Sequence, residues 1–458
     1  MGGLAALARE AGHKVTGCDA GVYPPMSDQL KALGIELMQG FGVEQMQLKP
    51  DLYVIGNVVS RSRLHSGEPK FALMEAILES GAPYTSGPQW LSEHVLQGRH
   101  VLAVAGTHGK TSTTSMLAWI LEAAGLEPGF LVGGVPLNFG VSARLGKVAA
   151  GHTRNYFVIE ADEYDTAFFD KRSKFLHYLP ECAIVNNVEF DHADIFNDLD
   201  EIILSFQRMT LQVPRNGLVL VNGDCANCLQ VKAKCPAPTQ TVGVGPDCDI
   251  HIAITQAKAE STEFTLNGEF FTLPMIGEFN VRNAAMAVCA ARFGGLTDDE
   301  IRAGLLTFKG VKRRQTERGE KNGITIIDDF GHHPTAIRVT LQGLRQRYPD
   351  RRLWAVFEPR SNTSRRKVLQ EELVNALKEA DGSIIAAINA IEKVPVELRL
   401  DPHQVAADVT ASGRECYYEP NTDAIIARLK ERAKSGDVII VFSNGGFDGM
   451  HEKLLAQL

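Results

Sequence analysis

The stretch Val101–Thr114, VLAVAGTHGKTSTT, constrains the fold more than any other part of the chain. Val101–Ala105 is an uninterrupted apolar run, the pattern of a strand buried on both faces. Gly106-Thr107-His108-Gly109 is a small-residue turn. Lys110-Thr111-Ser112-Thr113-Thr114 then opens a helix that continues through Met116-Leu117-Ala118-Trp119. A strand, a glycine turn and a helix N-terminus in direct succession aim backbone N–H groups and the positive helix end at one spot. That is what a polyphosphate needs. Lys110 can reach the terminal phosphates, and Thr111 offers a hydroxyl to Mg²⁺. In the usual G-x-x-x-x-G-K loop the first glycine would fall at Val104. This loop is therefore a shorter variant.

Apolar strand-like runs alternate with amphipathic helical stretches through most of the 458 residues. Examples are Leu52–Ile55, Tyr156–Ile159, Ala183–Val185, Gly217–Val221, Ile324–Ile327, Leu353–Phe357, Gly382–Ile388 and Asp437–Phe442. Such alternation predicts an α/β protein with parallel sheets covered by helices on both faces. Three blocks follow: residues 1–98, 99–310 and 311–458. The first and last read as Rossmann-like, and the middle one as a mostly parallel sheet around the phosphate loop. Cys248–Pro274 alternates apolar and polar residues around Asn267-Gly268, which predicts an antiparallel excursion.

The first block begins abruptly. Met1-Gly2-Gly3 runs into a helical Leu4–Ala11, then a strand His13–Cys18 ending at Asp19. This is the back half of a glycine-loop βαβ unit. The expectation is that the first strand, on the order of ten residues with its turn, is missing.

A net charge of -8 argues against broad binding to nucleic acid or an anionic membrane. No run of about 18 apolar residues suggests a membrane span, and no secretion signal is visible. A cytoplasmic protein is expected. The cluster Cys225, Cys228, Cys235 lacks a fourth ligand at zinc-site spacing and reads as reduced thiols.

Acidic residues follow the strand Tyr156–Ile159 as Glu160-Ala161-Asp162-Glu163-Tyr164-Asp165. The strand Ala183–Val185 ends in Asn186-Asn187-Val188-Glu189-Phe190-Asp191-His192. Strand C-termini line the crevice where α/β sheets bind ligands. Read as neighbours, these two strands would deliver Glu160 and His192 to the phosphate loop as a metal site.

The segments GTHGKTSTT, EADEYD, NNVEFDH, GEFNVRNAAMAV, KRRQTERG and DDFGHHPTA occur in this order. Together they resemble the successive motifs of the Mur ligase family, along nearly the whole chain. The resemblance implies three domains that bind a UDP-sugar, ATP and an amine. It implies phosphorylation of a carboxylate by ATP and displacement of the phosphate by the amine, with Mg²⁺ as cofactor. By resemblance, Gly106, Thr107, His108, Gly109, Lys110, Thr111 and Ser112 hold the ATP phosphates. Thr111, Glu160 and His192 hold the metal, and Asn280 and Asn283 lie on the adenine side. Arg314, Asp329 and His332 meet the nucleotide from the third domain. Lys110, His192 and Arg314 are the expected catalytic residues.

Many relatives carry a carbamylated lysine a little beyond the metal histidine. Here His192 to Arg215 contains no lysine, and Gln207 sits near that position. This favours the branch that adds directly to UDP-N-acetylmuramic acid. His108 and the GHHP segment point the same way. GCDAGVYPPMSDQL, EYDTAFFDKRSKFLHY, EPRSNTSRR and FSNGGFDGMHEKLL resemble members of that branch that attach the tripeptide L-alanyl-γ-D-glutamyl-meso-diaminopimelate in cell-wall recycling. A tripeptide donor carries several carboxylates, which Arg360, Asn362, Arg365 and Arg366 can clamp. Asn444 stands in another strand-end turn. Asn138, with Gly133 and Gly134, is expected on the sugar side, and Asp19 where a ribose-binding acid would sit. The alternatives are an L-alanine-adding ligase, a folylpolyglutamate-type ligase, a non-catalytic nucleotide-binding module, or a phosphate-loop ATPase that makes no amide.

Overall fold

The computed structural model describes residues 1–22 and 26–458. Tyr23, Pro24 and Pro25 of the segment GCDAGVYPPMSDQL lie outside them. The chain forms two compact units. The first comprises Met1–Glu189, Leu199–His251 and Ala284–Phe308; the second comprises Phe190–Asp198, Ile252–Asn283 and Lys309–Leu458.

The first unit opens on the helix Gly2–Glu10, with Met1 before it. Strand β1 (Thr16–Asp19) pairs in parallel with β2 (Glu36–Gln39), and β3 (Tyr53–Ile55) with β4 (Tyr84–Ser86). The strand expected from His13 starts three residues later. Gly12, at φ 94°, and the bond from the His13 N–H to the Ala8 carbonyl keep the chain turning there. Gly3 lets the first helix lie close on its neighbours, since a Cβ there would stand 2.6 Å from Leu131.

The central sheet is built from β5 (His100–Ala105), β6 (Gly129–Leu131), β7 (Ala143–Arg144), β8 (Tyr156–Glu160), β11 (Cys182–Val185), β12 (Leu218–Asn222) and β13 (Thr239–Gly243). A small hairpin, β9 (Asp165–Ala167) and β10 (Asp170–Ser173), branches off between β8 and β11. The order is β13-β12-β11-β5-β8-β6-β7, parallel except for the last pair. β5 therefore lies inside the sheet, and Val101–Ala105 are at most 2% exposed. That matches the continuous apolar run in the sequence. The strand β14 (Ile250–Ala257) starts against β13 through Ile250 and His251.

In the second unit β14 continues from Ile252 into an antiparallel meander with β15 (Thr262–Leu266) and β16 (Glu269–Leu273). The predicted turn holds: Asn267 and Gly268 both have positive φ, 50° and 92°. A six-stranded sheet follows from β17 (Thr316–Lys321), β18 (Ile324–Asp329), β19 (Leu353–Phe357), β20 (Gly382–Ala386), β21 (Glu415–Glu419) and β22 (Val438–Phe442). Its order is β17-β18-β22-β19-β20-β21. Only β17 runs antiparallel.

Both faces of this sheet are covered. Along β22, Val438, Ile440 and Phe442 point into one core with the helices Pro334–Arg347, Gln370–Leu377 and Pro402–Ala411. Ile439 and Val441 point into the other, with the helices Thr422–Arg432 and Met450–Gln457. Trp354 is fully buried in that second core and donates from Nε1 to Asp437 at 3.1 Å. Gly382 makes room for it, since a Cβ there would stand 2.6 Å from the indole ring. Gly382→Ala is expected to cost about 1–3 kcal/mol, read as a lower midpoint in urea unfolding. No helix among the described residues is long and apolar enough to cross a membrane.

Candidate active site

The loop after β5 is shaped from behind by the end of β11. Gly106 adopts φ 136°, and a Cβ there would stand 3.0 Å from Asn186 Cβ and 3.1 Å from two backbone nitrogens. Only glycine fits. The Thr107 N–H donates to the Asn187 carbonyl at 3.1 Å, and the His108 N–H to Asn187 Oδ1 at 2.7 Å. The Thr107 hydroxyl accepts from the Glu189 N–H at 2.8 Å, and His108 Nε2 lies 3.3 Å from Glu189 Oε2. Gly109, at φ 79°, turns the chain into the helix Lys110–Ala123. Thr111 and Ser112 are buried in its first turn.

Lys110 folds back over this turn. Its Nζ donates to the Gly106 carbonyl at 2.7 Å and to Glu163 Oε2 at 2.9 Å. Burial alone would lower its affinity for a proton, but the charges of Glu163, Asp162 and Glu160 outweigh burial and hold it a cation. Beside it, the Thr111 hydroxyl donates to Glu160 Oε1 at 2.9 Å, and the Gly133 N–H to Glu160 Oε2 at 2.7 Å. Burial and the neighbouring Asp162 push the Glu160 carboxyl up, against the pull of Lys110 and these two donors. A part-buried hydroxyl–carboxylate pair with an excess of negative charge fits a hard divalent cation, which takes oxygen ligands. Glu160 and Thr111 are the residues of this unit that would hold it.

The sequence treated β8 and β11 as neighbours. The sheet corrects this: they flank β5 on opposite sides and do not touch each other. Acidic residues on β8 and the Asn-Asn end of β11 thus approach the loop from two directions.

His192 belongs to the second unit, in the segment Phe190–Asp198, and has φ 52°. Its N–H donates to Asp191 Oδ1 at 2.7 Å, and the same oxygen accepts the Thr363 hydroxyl at 2.6 Å. Asn362 donates to Asp194 at 2.6 Å. His333 lies 3.3 Å from the Phe190 carbonyl and caps the helix Pro334–Arg347. Asp329 is buried, and burial raises its carboxyl against the pull of Arg314 and of the Gly331 and Gln315 N–H groups. Arg314 and His332 both lie against the Phe330 ring, at 5.0 Å and 6.0 Å. The Asn280 amide donates to the Ile276 carbonyl at 2.8 Å, and Asn283 is buried.

Arg365 is 8% exposed, and its Nε has no hydrogen-bond partner. Arg366 Nε and Asn444 Oδ1 are likewise buried without a partner. Arg360 reaches over Gly445, where a Cβ would stand 2.4 Å from its Nε, and lies 3.5 Å from the buried Glu358.

Other expected residues make hydrogen bonds within their unit. The Asn138 amide donates to the Thr307 carbonyl at 2.9 Å. Asp19 accepts the Gly21 N–H at 2.9 Å at the end of β1. Gln207, where a carbamylated lysine would stand, is buried and donates to the Gln230 carbonyl at 3.0 Å. Cys225, Cys228 and Cys235 are free thiols. Sequence reasoning did not single out Glu163, Asn187, Asp191 or Thr363. Each lies in a quoted motif or beside one, but their partners are 53, 79 and 172 residues away.

A doubly wound parallel sheet with a lysine-bearing glycine turn on an inner strand defines the class: an ATP-using α/β enzyme. Residues 104–291 match the Mur ligase middle domain, residues 313–445 the Mur ligase glutamate ligase domain, and residues 1–99 the Mur ligase family catalytic domain. The chain belongs to the Mur ligase family of ATP-dependent, amide-forming ligases. It is 44% identical to the UDP-N-acetylmuramate–L-alanyl-γ-D-glutamyl-meso-2,6-diaminoheptandioate ligase of Escherichia coli K12, over 99% of this chain and 95% of that protein. It is 41% identical to the Haemophilus influenzae ligase of the same name, over 100% and 96%. The crystal structure of a murein peptide ligase from Psychrobacter arcticus superimposes with a TM-score of 0.75 at 40% identity, covering 100% and 96%.

Proposed function

We propose that this chain joins the carboxylate of UDP-N-acetylmuramic acid to the amine of L-alanyl-γ-D-glutamyl-meso-diaminopimelate. The observation that carries the proposal is the largely enclosed Lys110 cation in the glycine turn, next to the Thr111–Glu160 pair. In this reading residues 1–98 bind the UDP-sugar, residues 99–310 bind ATP, and residues 311–458 bind the amine. The two relatives above carry this donor and acceptor in their names, over almost their whole length.

Lys110 and the N-terminal turn of the helix Lys110–Ala123 neutralise the ATP γ-phosphate as the muramoyl carboxylate attacks it. Bound Mg²⁺ would supply Lewis-acid neutralisation of the phosphate charge. Thr111 and Glu160 are its proposed ligands, joined by His192. Arg314, Asp329 and His332 engage the nucleotide, with Asn280 and Asn283 on its adenine side. The tripeptide amine then displaces phosphate from the acyl phosphate. Arg360, Asn362, Arg365 and Asn444 hold the donor carboxylates. The unused buried Nε of Arg365 supports this, because a buried donor is costly unless an acceptor meets it, and the buried Asn444 Oδ1 would accept an N–H of the peptide. The proposed setting is the cytoplasm, in the recycling of cell-wall peptide.

Phosphate release tests the reaction directly. With ATP, Mg²⁺ and UDP-N-acetylmuramic acid, the tripeptide should support turnover on the order of a hundredfold above L-alanine, because the buried donors match its carboxylates. Equal or better turnover with L-alanine would reassign the chain to alanine addition. Turnover without any amine would make it an ATPase.

A further inference from the structure

The Lys110 ammonium has three hydrogens to donate. The structure occupies all of them inside the loop's own surroundings: the Gly106 carbonyl at 2.7 Å, the Thr107 carbonyl at 3.5 Å and Glu163 Oε2 at 2.9 Å. The Glu163 side chain is 2% exposed and that of Lys110 11%, so the pair is shielded from water. The other carboxylates nearby are otherwise engaged. Glu160 takes the Thr111 hydroxyl and the Gly133 N–H, and Asp162 lies 3.5 Å from Lys174. Glu163 alone presents its charge directly to the lysine. A phosphate entering the turn must take a donor from one of these three acceptors of Lys110, and must approach the buried Glu163 charge to do so.

We propose that Glu163 is a placeholder anion: it occupies Lys110 in the nucleotide-free loop, is displaced by the terminal phosphate, and so sets the affinity for ATP. It is a positioning residue, acting through Lys110. The proposal rests on reading the loop as the ATP site. It explains why a buried lysine can stay charged and aimed before its substrate arrives. It also gives the second glutamate of EADEYD a role separate from the metal-side Glu160.

The test is the dissociation constant of ATP with Mg²⁺, measured by calorimetry on the full chain for Glu163→Gln, Glu163→Ala, Glu163→Asp and Lys110→Ala. Without the competing charge, the Gln and Ala variants should bind ATP roughly tenfold more tightly. Glu163→Asp keeps the charge and should stay within about threefold of the unmodified chain. A merely structural glutamate would give weaker binding, or no change, in all three variants, and that result overturns the proposal. Lys110→Ala separates the two readings. If it binds ATP as well as the unmodified chain, the loop is not the phosphate site. If it loses binding while Glu163→Gln gains none, the loop assignment stands and the placeholder falls.

Discussion

Lys110→Ala is expected to lower tripeptide-dependent phosphate release by about a thousandfold, because the γ-phosphate loses the cationic side chain proposed to neutralise it. The same change should destabilise the fold by about 3–5 kcal/mol, since it leaves the buried Glu163 without its counter-charge. The two effects can be pulled apart. Adding Glu163→Gln to Lys110→Ala removes the stranded charge and should restore most of the thermal stability while activity stays lost. A double variant that remained as unstable as the single one would show that the pair does not share its burial cost. A single variant with full activity would remove the loop from the mechanism.

The second large effect belongs to Asp191. One oxygen accepts both the Thr363 hydroxyl and the His192 N–H, tying Phe190–Asp198 to the turn after β19. Burial alone would raise its carboxyl. The histidines 192, 332 and 333 and the Thr363 hydroxyl outweigh burial and hold it well below the usual 3.8. A carboxyl lowered by folding stabilises the fold above its unfolded value, and that contribution is lost as pH falls through the folded one. Asp191→Asn should therefore cost about 2–3 kcal/mol near pH 5. The gap from the unmodified chain should close as pH falls below about 4. Denaturant midpoints across that range measure it, and a gap independent of pH would mean that Asp191 acts through shape rather than charge. His192 should lose its fixed backbone in the same variant, so turnover should fall with stability.

Sequence reading was most effective where an element declares itself over consecutive residues. β5, β8, β19 and β22 are unbroken apolar runs because both faces are covered, and the glycine turn joins its strand to its helix without a gap. It was weak where the signal is short or inverted. β6 and β7 have three and two residues, too few for any period to show. β17 reads TERGEK, a charged edge strand whose polarity blunts an open edge rather than marking a core. In the site, residue types were legible and partners were not. EADEYD offers four carboxylates in six residues. Only the folded sheet shows Glu160 with Thr111 and Glu163 with Lys110. Treating β8 and β11 as neighbours failed for a related reason: chain order does not say that β5 inserts between them.

The position of β5 has a consequence for motion. Its backbone is hydrogen-bonded on both sides, and its last five residues are closed to water. Amide hydrogens in such a strand exchange only when much of the unit opens. The phosphate loop is therefore mounted on one of the most persistent parts of its unit. In hydrogen exchange the strand that carries it should be among the last parts of the unit to take up deuterium.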